Sequence, residues 1–198
     1  MRTKTLLVVV ALALVAFTIS APATFAQNLL TNGSFETGDF TGWTTGGNFE
    51  FSQVVSGPYY VYTGAEDGNY YATFGPVSSP GTLSQSFSDQ AGAQYTFSFW
   101  LAANGDSPSS FSASWDGTQL VSLTDPNTGA QWQQYTFTTT GTGHDTITFA
   151  IQDDPAYIAL DNVSVTQQSG TVPEPSSILL LASGVLGLGS VARRKLSR

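Results

Sequence analysis

The chain predicts an all-β fold of two packed antiparallel sheets, and three observations carry that prediction. Gly, Ser, Thr and aromatic residues dominate residues 27–166, with hardly any of the Lys, Glu or Ala blocks that favour helix. Short segments of alternating apolar and polar residues recur along this stretch, roughly ten in all. Turn-forming residues separate them, which is the spacing of a β-sandwich.

The elements read in order as follows. Phe49 to Val55, Tyr70 to Phe74 and Leu83 to Phe87 are predicted strands. Tyr95, Phe97, Phe99 and Leu101 share one face of the next, and Thr96, Ser98 and Trp100 the other. Phe111, Ala113 and Trp115 repeat the period-two pattern and end at Asp116-Gly117, a strong hairpin signal, with Leu120 to Leu123 returning. Tyr135 and Phe137 alternate with Gln134 and Thr136, and Ile147, Phe149 and Ile151 continue the series. In the last strand, Tyr157 to Val165, Ile158 and Leu160 have one parity, whereas Val163 and Val165 have the other. One extra residue near Asp161-Asn162, a β-bulge, resolves the conflict. Loops fall at residues 105–108 and 125–129, and residues 167–171 read as a polar linker. No internal repeat and no second domain is evident.

Charge divides the chain sharply. All six basic residues lie near the ends: Arg2, Lys4, Arg193, Arg194, Lys195 and Arg198. Of the 14 acidic residues only Glu174 lies outside residues 27–171, which therefore carry 13 acids and no Lys or Arg. Such a surface repels phosphate backbones and excludes nucleic acid as a partner. Inside the domain no acid has a Lys or Arg to pair with, so each must be solvated, hydrogen-bonded or neutralised by a metal ion. Calcium, which takes carboxylate and carbonyl oxygens, is the natural candidate. Cysteine is absent, so no disulfide staples the fold.

The ends read as targeting segments. Arg2 and Lys4 precede an apolar stretch from Leu6 to Ile19, and Thr24-Phe25-Ala26 offers a small-x-small cleavage site before Gln27. Residues 1–26 are therefore expected to be a signal helix, presented to the export machinery and removed by signal peptidase. At the other end, Val172, Pro173, Glu174 and Pro175 lead into an apolar run from Ile178 to Ala192, followed by Arg193, Arg194 and Lys195. The prolines keep the motif extended, as a peptide to be read. The apolar run is 15 residues, or roughly 22 Å as helix. A bilayer core is about 30 Å thick, so a transmembrane helix here suits transient residence in the inner membrane, with the basic tail in the cytoplasm.

Residues 172–198 resemble the PEP-CTERM sorting signal of bacterial envelope proteins. The resemblance implies recognition by exosortase, cleavage near the motif, and delivery to the cell surface or extracellular matrix of polysaccharide-producing Gram-negative bacteria. The domain between the two signals opens with Asn28-Leu29-Leu30-Thr31-Asn32-Gly33-Ser34-Phe35-Glu36 and closes with Tyr157-Ile158-Ala159-Leu160-Asp161-Asn162-Val163-Ser164-Val165. It looks like the jelly-roll carbohydrate-binding modules. That resemblance implies a structural calcium joining the first and last strands, with Glu36 and Asp161 in the positions that supply its carboxylates. Independently of it, a buried Asp161 needs either a cation or backbone N–H groups, because no basic side chain is at hand.

Sugar binding needs exposed rings that stack on pyranose faces beside hydrogen-bonding groups. Trp100 and Trp132 are opposite in parity to the Phe97–Phe99 and Tyr135–Phe137 faces, so they are the expected ligand platforms. Catalysis finds little support: His144 is the only histidine, there is no cysteine, and no Gly-x-Ser-x-Gly elbow occurs. Glu50 and Glu66 are the glutamates left for a glycosidase pair, which spatial separation decides. The sequence thus expects a non-enzymatic exported protein, structural or adhesive, with weak binding to extracellular polysaccharide. A specific carbohydrate-binding module and a small polysaccharide hydrolase are the alternatives.

Overall fold

The computed structural model describes residues 27–168. The expected signal helix and the expected transmembrane helix lie outside these residues. Ten strands make up the described part: β1 (Thr44–Gly47), β2 (Gln53–Ser56), β3 (Tyr70–Phe74), β4 (Gly81–Ser88), β5 (Gln94–Ala102), β6 (Ser109–Trp115), β7 (Thr118–Thr124), β8 (Gln133–Thr140), β9 (His144–Asp153) and β10 (Ile158–Gln167). Among the described residues no helix is long and apolar enough to cross a membrane.

The strands form two five-stranded antiparallel sheets, ordered β1-β4-β9-β6-β7 (sheet A) and β2-β3-β10-β5-β8 (sheet B). Alternation places one face of each sheet inside. In β5, Tyr95, Phe97, Phe99 and Leu101 are buried, and in β9 Ile147, Phe149 and Ile151 face them. The Phe99 and Phe149 rings meet edge to face with centroids 5.2 Å apart, and Phe111 stands 5.8 Å from Phe149. Each fully buried ring contributes about 1.5–3 kcal/mol, so this aromatic layer between the sheets carries much of the stability.

Two local features behave as the pattern implies. Asp116 and Gly117 turn the β6–β7 hairpin with φ of 47° and 74°, the two positive values that a type I′ turn demands. In β10 the register against β5 shifts between Asp161 and Ser164, and Asn162 takes φ 45°. That bulge lets Leu160 and Val163 both enter the core.

One segment differs from expectation. The predicted strand from Phe49 is a turn as far as Ser52, and the chain pairs earlier, at β1, through a Thr-Thr-Gly-Gly stretch with no apolar signal. Phe49 drops against Phe40 and Phe74, at 5.1 and 5.9 Å, whereas Phe51 adopts φ 57° and stays 60% exposed. The two rings share a parity but meet opposite fates because the backbone turns between them.

The ends of the described chain lie side by side. Leu29 N–H donates to the Val165 carbonyl at 2.8 Å, and Val163 N–H to the Gly33 carbonyl at 2.9 Å. A Cβ on Gly33 would run into the Val163 carbonyl, so only glycine lets the opening segment lie this close to β10.

Candidate functional site

The outer face of sheet B is divided between a covered half and an open half. The covering element is the β2–β3 connection, residues 57–69, which lies across β3, β5 and β10 as a strap. Tyr62 packs beneath it with Tyr71, Ala102 and Ala159, and its hydroxyl donates to the Tyr157 carbonyl. Trp132 Nε1 donates to the Gly64 carbonyl at 3.1 Å, and its ring stands edge-on to Tyr71 at 5.7 Å. Trp132, expected as a platform for ligand, is thus an anchor for the strap.

Asp161 holds the strap's far end. It is on the outward parity of β10 yet fully buried, because the strap closes over it. Its Oδ2 accepts N–H groups of Glu66 at 2.7 Å and Asp67 at 3.0 Å, and its Oδ1 accepts that of Asn162 at 2.7 Å. Asn162 Nδ2 then donates to Glu66 Oε2 at 2.8 Å. Burial pushes the Asp161 carboxyl up to about 7, against the pull of the three N–H groups. Glu36 grips the next residues: its Oε1 accepts from Asn69 N–H at 2.7 Å and Tyr70 N–H at 2.8 Å. Burial works against ionisation there as well, but the Tyr70 and Asn69 donors outweigh it and hold Glu36 below the usual carboxylate range.

These contacts bear directly on the calcium expected at Glu36 and Asp161. Both Asp161 oxygens and Glu36 Oε1 accept peptide N–H groups, and an N–H held at an oxygen competes with a cation for it. Among the described residues no group of three or more Asp, Glu or His side chains is arranged to hold a metal ion. With the Asp161 oxygens and Glu36 Oε1 taken up by peptide N–H groups, the pair does not fit a calcium ion in this arrangement, and those N–H groups satisfy the Asp161 oxygens instead.

The open half of sheet B is a grid of hydroxyls. Register aligns Thr136, Ser98 and Ser164 in one row across β8, β5 and β10, and Thr138, Thr96 and Thr166 in the next. Trp100 heads the grid, between Gln134 and Asp161 in the row above. Its ring is half-buried while Gln134, Thr136 and Thr138 are exposed. At the foot, Gln168 Nε2 donates to Thr96 at 3.1 Å and to Thr138 at 3.2 Å. Trp100 is an expected residue of this face and the grid is not, although alternation from the Phe97–Phe99 face implies its outward Ser and Thr residues.

Catalytic geometry is poor by comparison. Glu66 is tied to Asn162 within the strap, and Glu50 lies exposed on the β1–β2 turn. His144 is exposed at the start of β9. Asp145, buried beside it, accepts the Thr142 hydroxyl and N–H and serves to close the β8–β9 turn.

Residues 171–195 match the PEP-CTERM protein-sorting motif. The chain carries a PEP-CTERM sorting signal. It is an exported protein, marked for exosortase, that is anchored transiently in the membrane before it reaches the cell surface. No curated protein matches the sequence. Among solved structures, a family 61 carbohydrate-binding module in complex with β-1,4-galactotriose aligns at TM-score 0.59 and 22% identity, over 72% of this chain and 100% of its own. The family 22 xylan-binding domain from Paenibacillus barcinonensis aligns at TM-score 0.53 and 18% identity, over 75% and 99%. A cleaved adhesin domain of Lys-gingipain from Porphyromonas gingivalis aligns at TM-score 0.53 and 15% identity, over 72% and 99%. The described domain therefore has the jelly-roll fold of such modules.

Proposed function

We propose that this PEP-CTERM protein is a non-catalytic component of the cell surface or extracellular matrix, whose sandwich binds neutral extracellular polysaccharide weakly along the open half of sheet B. The observation that carries the reading is the hydroxyl grid headed by Trp100. A half-exposed indole offers an apolar platform to one pyranose, and rows of Ser and Thr hydroxyls beyond it exchange hydrogen bonds with the sugars that follow. No cationic side chain interrupts the face, so an uncharged glycan suits it better than an acidic one. A shallow, flat face with one ring supports weak contacts repeated along a polymer, where many copies act together. The solved neighbours whose names include galactotriose and xylan support the fold, and the ligand class follows only by analogy. The hydrolase alternative draws no support from Glu66, tied to Asn162 in the strap, or from Glu50, exposed on the β1–β2 turn.

The test is a glycan-array screen of residues 27–168 displayed in many copies. Neutral glycans should be retained by the wild type and lost with Trp100→Ala, while Trp132→Phe retains them. Binding that survives Trp100→Ala would remove the open face from the proposal.

A further inference from the structure

The pole of the sandwich where β9 ends and β10 begins has oxygen acceptors that nothing donates to. Asp153, the last residue of β9, shares the inward parity of Ile147, Phe149 and Ile151 and is 2% exposed. Its Oδ1 is buried with no hydrogen-bond partner. The β5–β6 loop brings Asn104 and Asp106 to the same pole. Asn104 Nδ2 donates to Asp106 Oδ2 at 2.6 Å, and Tyr60 O–H donates to that same oxygen at 3.0 Å. The first bond fixes the amide's orientation, since a flip would set its oxygen against the carboxylate. Asn104 Oδ1 is thereby left buried and, like Asp153 Oδ1, without a donor.

Nearby charge makes the shortage worse. Asp125 is already used by Ser109 N–H at 2.8 Å and Ser107 O–H at 3.1 Å, and Asp154 follows Asp153 in the chain. Residues 27–171 contain no Lys or Arg to answer these acids. Two buried oxygens of different residues are left without donors at a pole where Asp106, Asp154 and Asp125 add negative charge around Asp153.

We propose that this pole binds a divalent cation of the calcium type through Asp153 Oδ1, Asn104 Oδ1 and the free oxygen of Asp106, with carbonyls and water completing the shell. Hard cations choose such carboxylate and amide oxygens. No third acidic or histidine side chain joins the set among the described residues, which places affinity in the weak range of about 10⁻⁴–10⁻³ M found for extracellular modules. Burial, together with Asp106, Asp154 and Asp125, pushes the Asp153 carboxyl up to about 7. A proton taken up by Asp153 is thus the competing way to relieve that carboxylate.

Residues 27–168, which hold all ten strands and the core between them, serve for the test, with calcium at about 1–10 mM and terbium as a luminescent stand-in excited through the neighbouring tyrosines. Calcium should raise the melting temperature by roughly 5 °C at saturation, and terbium emission should appear. Asp153→Asn should abolish both, Asp106→Asn should weaken binding roughly tenfold, and Asp161→Asn should leave both intact. Melting that ignores calcium, together with an Asp153→Asn variant more stable than wild type at pH 8, would assign a proton to Asp153 and overturn the site. So would a calcium response that survives both Asp153→Asn and Asp106→Asn.

Discussion

Trp132 and Gly64, 68 residues apart, are joined by an indole N–H to carbonyl bond of 3.1 Å that ties the β2–β3 strap to the outer face of sheet B. The bond turns a residue placed well for ligand into part of the scaffold. It also decides which half of the sheet stays open.

Trp132→Phe keeps a ring near Tyr71 but removes the donor. The Gly64 carbonyl then turns to water, at a net cost of about 1 kcal/mol. For a domain of this size that lowers the melting temperature by roughly 2–4 °C. Amide hydrogen exchange should accelerate within residues 57–69 while β5 and β9 remain protected.

Asp161→Asn replaces one acceptor oxygen by an NH2 group that confronts the peptide donors of Glu66 and Asp67. Leaving a buried donor unsatisfied costs about 1–3 kcal/mol. Exchange protection at those two amides should fall in the variant. Adding a chelator to the wild type should not reproduce that local loss, because peptide groups rather than a cation hold the carboxylate.

Stability should fall as pH rises from about 4 to about 7 in calcium-free buffer. Asp153 and Asp161 are each pushed up to about 7 in the fold, whereas the unfolded chain returns them to about 3.9. The folded state therefore binds more protons across that window. Stabilisation is complete below pH 4 for these two groups and is lost as pH passes through 7. Thermal melts at pH 5 and pH 8 in chelator check the sign, and the double variant Asp153→Asn/Asp161→Asn should flatten the difference.

Glu174→Ala should block recognition of the Pro173-Glu174-Pro175 motif, so that full-length protein accumulates in the inner membrane. Fractionation followed by immunoblotting reads the result, and normal arrival at the cell surface would count against exosortase processing.

Strand periodicity made most of the sandwich legible, because parity alone tells which side of a strand is buried. The β10 conflict between Leu160 and Val163 even disclosed its bulge. The failures have physical causes. β1 is a Thr-Thr-Gly-Gly edge strand recruited by pairing with β4, with no apolar pattern of its own to read. Trp132 lies on the expected side, but only the path of a distant loop determines that its N–H is already spent. Asp161 posed a choice between a cation and N–H donors, and that choice is made by residues about 95 positions away. Asn104 and Asp153 gave no sequence signal at all, since an orphaned oxygen is a property of packing.

Adjacent ends have a mechanical consequence. The sorting motif begins at residue 171, three residues past Gln168, whose N–H still bonds the Gln94 carbonyl at the start of β5. Any tether left after processing thus pulls on the Gln94–Gln167 extremity of the sandwich. The Asn104 and Asp153 loops, at the opposite extremity, then become the leading tip, farthest from the lipid and first to meet whatever lies beyond the cell. Tension on the tether runs along the length of β10, loading its many ladder bonds in shear rather than unzipping them one at a time.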